Sequence, residues 1–317
     1  MARLINTLLA SLLLCCIALA SYGNEPIRFS TVMGYGQVPL NVVQAGMPGR
    51  PGILFVHGFA QSQLSFKPQL LSGLADKYHL VAFDLRGHGA SAKPWRKEDY
   101  TDSNIWARDI AAVIDATQLQ KPFIVAWSYG GYVAMDYIRH YGLARITGIN
   151  FVGTTAGLVK PDRSPPTEQT RRSIARVMEL SRRSRSLNSS ENISSSLDSL
   201  ENLTTSAMSD KERQTVFAMQ IMMPAYVRVA MSDRRYDNVD LLEKLQIPIL
   251  LTRGSNDFFM PGAATRKLLD KLPNARLSVY PGSAHLPFYD QADRFNRELD
   301  NFIDKAHNNR RPELAAP

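Results

Sequence analysis

The stretch FIVAWSYGGYVAMDY, Phe123–Tyr137, decides the fold. Its first five residues form a continuous apolar run of the kind that fills a strand buried on both faces. The run stops at Trp127 and Ser128, and from Gly130 to His140 the apolar residues recur at helical spacing. A strand that turns at once into a helix leaves the serine hydroxyl projecting from a tight turn at the C-terminal end of a parallel strand. Side chains two positions before and after that serine crowd the neighbouring backbone. Gly130 meets this requirement outright, and Ala126 is the next smallest choice after glycine. The helix also directs its positive end at the serine, which favours an oxyanion formed there.

Working outward, short β-branched and aromatic runs ending in Gly, Asp or Ser recur along the chain: PGILFVHGF, HLVAFDLRGHG, ITGINFVGTT, IPILLTRGSND and RLSVYPGSAH. Each reads as a buried parallel strand. Helical patterns separate them, as in SNIWARDIAAVIDATQ, where Ile105, Ile110, Val113 and Ile114 share a face. Alternation of this kind implies right-handed crossovers and an α/β fold with a mostly parallel sheet covered on both sides. IRFSTVM and VPLNVVQAG read as an antiparallel hairpin at one edge.

The alternation lapses between about Leu158 and Leu245, a segment too long for a simple loop, so residues 158–245 are expected to form an inserted helical cap dividing a core of 24–157 and 246–307. Seven arginines fall between Arg163 and Arg185, with Ile174, Val177, Met178 and Ser181 at helical spacing largely opposite them. The pattern is that of a solvated amphipathic helix, its competitor being attraction to an anionic envelope surface. SLNSSENISSSLDSLENLTTS reads as the loosest part of the cap, and its acceptor-like Asn188, Asn192 and Asn202 are what serine-rich composition produces by chance.

A chain of 317 residues, 44% hydrophobic and 21% charged, excludes a fibre, a repeat array or bulk disorder. The net charge of +8 comes with no nucleic-acid motif and no interleaving of aromatic and basic residues, so no nucleic-acid partner is expected. Residues 1–23 combine Arg3, an apolar stretch from Leu8 to Ala20 and the small-residue site Ala18–Ala20, which is the pattern of a secretory signal peptide cleaved after Ala20 or Gly23. The apolar stretch is short for a membrane anchor. A periplasmic or secreted enzyme with no stable membrane span is therefore expected. Cys15 and Cys16 leave with the signal, so the mature chain has neither disulfide nor thiolate chemistry. Residues 308–317 form a terminal tail.

Five segments, HGFAQS, FDLRGHGAS, AWSYGG, GSNDFFMP and GSAHLPF, follow expected strands in this order, and with them the chain resembles the α/β-hydrolase family over nearly all of its expected mature length. The resemblance implies an eight-stranded, mostly parallel sheet with a helical cap, and is nearest to a serine esterase and cofactor-free haloperoxidase-like branch. It identifies Ser128 as nucleophile and His285 as its base. Asp257 is the acid that orients the base, because NFVGTTAG offers no carboxylate after the earlier strand and Asp162 lies further along, in the cap. By the same resemblance the oxyanion donors are the backbone N–H groups of Phe59 and Tyr129. His57 is expected to shape the oxyanion loop, and Asp84, Arg86 and His88 to brace it. His79, His140 and His307 read as ordinary surface residues. A serine rather than an aspartate in the elbow argues against epoxide hydrolase and haloalkane dehalogenase.

Such acyl transfer needs no cofactor, and the sequence carries neither a metal-ligand cluster nor a phosphate-binding glycine loop. Trp127, Phe258, Phe259 and Met260, along with Phe59 and Tyr129, are expected around the mouth of the site, and the methionine-rich VFAMQIMMPAYVRVAM as flexible apolar lining. A hydrophobic ester of modest size fits best. Haloperoxidase or perhydrolase activity, lactone opening and carbon–carbon bond hydrolysis use the same residues. Many of the haloperoxidases carry proline where Ala60 follows Phe59 here. A non-catalytic binding protein on this scaffold would lack one of the three side chains or have a blocked pocket.

Overall fold

A computed structural model describes residues 27–160 and 168–308. The leader, its cleavage sites, Asp162, Arg163 and residues 309–317 lie outside the described residues. Counting helices of eight residues or more, the elements run β1 (Arg28–Met33), β2 (Pro39–Ala45), β3 (Gly52–Val56), β4 (His79–Phe83), α1 (Ser103–Ala116), β5 (Phe123–Trp127), α2 (Tyr129–Tyr141), β6 (Gly148–Val152), α3 (Glu168–Ser184), α4 (Ser189–Leu203), α5 (Asp210–Ile221), α6 (Ala225–Ser232), β7 (Ile249–Gly254), α7 (Gly262–Leu269), β8 (Ala275–Tyr280) and α8 (Ala292–Asn308).

The strands form one eight-stranded sheet in the order β1-β2-β4-β3-β5-β6-β7-β8. β2 runs antiparallel to both β1 and β4, and every other pair is parallel. Every residue of β3, β4, β5 and β6 is buried, as continuous apolar runs require when helices cover both faces. Two apolar clusters result, one on each face of the sheet. The strand order reverses between β3 and β5, and a crevice at the C-terminal ends of parallel strands opens where such a reversal occurs.

Local signals account for the helix ends. The Asp102 side chain caps α1 by accepting from Asn104 N at 2.8 Å, and Ile105, Ile110, Val113 and Ile114 face inward. α5 begins in a reciprocal cap between Ser209 and Glu212. Helices α3–α6 all lie between β6 and β7.

Three expectations need correction. The serine-rich segment is not loose: it forms α4, capped by Asn188, whose side chain accepts from Ser190 N. Its serines are satisfied internally, with Ser196 Oγ donating to Asn192 O and Ser195 Oγ crossing to Leu180 O of α3. On α3 the inward face carries Leu180 and half-buried Val177, while Ile174 and Met178 are 47% and 66% exposed. That face is set by α4 and a cavity beneath it, which helical spacing alone cannot locate. Finally, His79 opens β4 and is 1% exposed, with Nε2 hydrogen-bonded to Gln44 Oε1 at 2.9 Å, so it belongs to the sheet and not to the surface.

Candidate active site

Ser128 sits between β5 and α2 with φ 51° and ψ −115°, a conformation that side-chain-bearing residues rarely adopt. Neighbouring chain holds it there: Ser128 N donates to Val152 O at 2.8 Å and its carbonyl accepts from Gly131 N at 3.0 Å. A Cβ at Gly130 would stand 2.3 Å from Val56 O and 2.8 Å from His57 O, so only glycine lets α2 start this close to β3. Ala126, by contrast, places its methyl in the packed core without exposure.

The loop after β3 runs against this turn. Gln61 N donates to Gly58 O at 3.3 Å, and Ala60 between them takes φ 55°. His57 fixes the loop's base: Leu85 N donates to Nε2 at 2.9 Å, which leaves Nδ1 carrying the proton toward Gly58 O at 2.8 Å. Burial lowers the His57 pKa, more than the nearby Asp84 charge raises it, so this imidazole is neutral. The Asp84 carboxylate gathers Gln63 N, Ala90 N and Asn41 Nδ2 at 2.7–2.9 Å. Arg86 is fully buried and binds both oxygens of Asp109. His57 and Asp84 thus hold the loop and the His88 ring packs edge-on against His57 and Phe59, whereas Arg86 bonds Asp109, Asp99 and the Tyr35 carbonyl and does not touch the loop. Tyr129 opens α2, and its N–H is among the first-turn donors that no helical carbonyl can accept.

Asp257 follows β7 and His285 follows β8. His285 Nδ1 lies 2.9 Å from both Asp257 oxygens, and Phe259 N and Met260 N each donate to Asp257 Oδ1 at 2.9 Å. The carboxylate therefore accepts from Nδ1 and leaves Nε2 free of that proton. The His285 carbonyl accepts from Trp127 Nε1 at 2.9 Å, tying the loop back to β5. Gly153, with φ 57°, makes room: a Cβ there would lie 3.0 Å from the His285 ring and 3.1 Å from Asp257. A side chain at Gly153 would therefore crowd the Asp257–His285 pair.

Ser128 and His285 border one cavity of about 230 Å³, with Phe59, Trp127 and Phe259 beside them and α3, α4, Gln220 and Arg228 above. Phe258, Met260 and Tyr129 are not among its lining residues, the Tyr129 ring packing instead on Trp106 and Tyr236. The backbone from Phe258 to Met260 wraps the Asp257 carboxylate, and only Phe259 turns its ring to His285, at 4.8 Å between centroids. The expected methionine lining is also absent. Met219, Met223 and Met231 are buried in the apolar clusters, and the roof presents serines, Gln220 and Arg228.

Two arginines escaped the sequence reading. Arg228 is 2% exposed at the cavity, and Arg234 forms a buried pair with Asp136 of α2 and donates to Tyr129 Oη at 3.2 Å. Hydrophobic neighbours hid the first, and nothing local marks the partner of the second. Among the described residues no group of three or more His, Cys, Asp or Glu could hold a metal ion, and no helix is long and apolar enough to cross a membrane.

Residues 53–298 match the family model described as the alpha/beta hydrolase family. The chain is 28% identical over 266 residues to the non-heme chloroperoxidase CPO-A1 of Kitasatospora aureofaciens, covering 81% of this chain and 93% of that one. Among solved structures it is similar to esterase RhEst1 from a Rhodococcus species, with 27% identity, TM-score 0.76 and coverage of 87% and 98%. A protein provisionally designated an aryl esterase from Burkholderia cenocepacia aligns with TM-score 0.79 and 29% identity over 89% of this chain and all of its own. The chain belongs to the alpha/beta hydrolase family.

Proposed function

We propose that the chain is a serine hydrolase that cleaves a carboxylic ester of modest size through an acyl-enzyme. The observation that carries this reading is the Asp257-held imidazole of His285 bordering the same cavity as the strained Ser128. In this mechanism Nε2 of His285 takes the Ser128 proton as Oγ attacks the carbonyl, and Asp257 stabilises the imidazolium. Negative charge on the carbonyl oxygen meets the N–H groups of Phe59 and Tyr129 and the positive end of α2. The imidazolium then protonates the leaving alcohol, and a water activated by the same base releases the acid.

Helices α3–α6 act as the cap, and the leader pattern of residues 1–23 supports export from the cytoplasm. Perhydrolysis is the second reading, suggested by the chloroperoxidase relative. Ala60 weighs against it, because proline cannot adopt φ 55°, so a loop that carries proline there has a different shape from this one. The test is a kinetic screen of p-nitrophenyl esters from acetyl to octanoyl. Ser128→Ala should lower kcat/KM by about 10⁴-fold or more, and Asp257→Asn by a comparable factor. Ester cleavage that persists in Ser128→Ala would remove the nucleophile from the account.

A further inference from the structure

The roof of the cavity carries a charged group among apolar neighbours, Val177, Leu180 and Leu203. Arg228, on α6, has a guanidinium buried in the chain, and among the described residues no carboxylate lies within salt-bridge distance of it. The other fully or nearly buried arginines are paired: Arg86 with Asp109 and Asp99, and Arg234 with Asp136. A buried cation without a counter-charge is costly and uncommon. Desolvation pulls the Arg228 pKa down to about 10, which still leaves it charged at neutral pH.

The hydrogen bonds of Arg228 are only partly spent. Nε donates to Met223 O at 3.1 Å and Nη2 to Gln220 O, both backbone carbonyls at the C-terminal end of α5. Nη1 makes no hydrogen bond to a described residue. Beside it, the Gln220 amide is held at 2.7 Å by Ser199 Oγ, which also lies 2.9 Å from Ser196 O, so one end of the amide remains unspent. Of the roof serines, Ser184, Ser195 and Ser196 give their protons to the carbonyls of Ser181, Leu180 and Asn192, while Ser181 Oγ accepts from Arg185 Nη1. Among the described residues lining the cavity, Arg228 is the one arginine or lysine, and there is no carboxylate.

We propose that Arg228 and Gln220 form a specificity subsite for a carboxylate on the substrate, at the end remote from the scissile bond. A single guanidinium flanked by an amide suits a monoanion better than a doubly charged phosphate. The substrate is then a carboxylate-bearing ester, such as a half ester of a dicarboxylic acid, with its charge neutralised under the cap while Ser128 attacks the other end. This assignment rests on the serine-hydrolase reading of the same cavity.

The experiment compares monoethyl with diethyl esters of straight-chain dicarboxylic acids from succinate to sebacate, by pH-stat at fixed ionic strength. The wild-type enzyme should favour the half ester in kcat/KM by about tenfold or more at one chain length, and Arg228→Gln should abolish that ratio chiefly through KM. Arg228→Lys should restore part of it. Equal or better cleavage of the diester at every length by the wild type, or an unchanged ratio in Arg228→Gln, would overturn the subsite. If Arg228→Gln does not fold, the wild-type ratio decides. Should neither ester be turned over, the hydrolase reading fails, while calorimetric titration of hexanoate against hexanamide into Ser128→Ala still decides the subsite: tighter binding of hexanoate supports it and equal binding refutes it.

Discussion

At the scale of single residues, the site depends on backbone approaches that specific side chains would forbid. Gly130 is the sharpest case, since a Cβ would meet two main-chain oxygens, Val56 O and His57 O, and neither can swing aside. Gly130→Ala must push α2 off β3, at a cost of about 1–3 kcal/mol in stability. It also moves Tyr129 N–H, the proposed oxyanion donor, so on that proposal kcat should fall about 100-fold. Ala126→Gly should keep activity and lose only about 0.5–1 kcal/mol, as a strand alanine replaced by glycine does. Urea unfolding and steady-state kinetics on both variants check the pair. Equal effects on kcat would mean that the two flanking positions are not distinguished by the contacts described. The difference also explains a feature of the sequence: position 126 tolerates a methyl because the methyl is core, whereas position 130 faces backbone.

At the scale of elements, the strand ends were legible, and the insertion was legible as helical but not in the faces its helices present. Apolar runs closing in Gly, Asp or Ser marked β3 to β8 and the residues just beyond them, and those residues are what the fold gathers: Ser128, Asp257, His285 and the Phe59 loop. The cap obeys weaker rules. Serine disfavours helix locally, yet α4 forms because its hydroxyls find carbonyls on α3 and on its own preceding turn. Likewise the inward face of α3 and the polar roof depend on contacts between helices that no periodicity specifies. One such contact fastens the cap's last residues to α2. The Arg234–Asp136 pair is nearly inaccessible, with Arg234 also 5.4 Å over the Tyr236 ring. Arg234→Met leaves a buried carboxylate without its partner and should cost about 3–5 kcal/mol, whereas Asp136→Leu combined with Arg234→Met should cost much less. Chemical denaturation of the single and double variants measures this; a double variant as unstable as the sum of its parts would show that the charges are not coupled.

At the scale of the whole molecule, three buried histidines set the acid limit. Burial holds His57 and His88 below the ordinary value of 6.5, and burial with the Arg28 charge holds His79 down at about 4. Below pH 6.5 the unfolded chain takes up protons that the folded chain refuses at these rings, so stability falls as pH falls from 6.5 toward 4, with part of the fall offset by Asp136 and Asp109, whose carboxyls burial raises. The slope is about 1.4 kcal/mol per pH unit for each histidine. Glu212, held at about 2 by hydrogen bonds from Tyr289 and Ser209, loses its contribution only below this window. Denaturation midpoints recorded from pH 7.5 to 4 should decline throughout, and a flat profile would contradict the buried, neutral state of these rings.

The larger consequence of the sheet is that it brings together segments over 100 residues apart in sequence, Ser128 and the Asp257–His285 pair, at one crevice. The most direct measurement is mass mapping of the protein after reaction with an alkyl fluorophosphonate. The account predicts a single stoichiometric adduct on Ser128, formed far more slowly in His285→Gln. Modification of another residue at the same rate, or none at all in a folded protein, would contradict it.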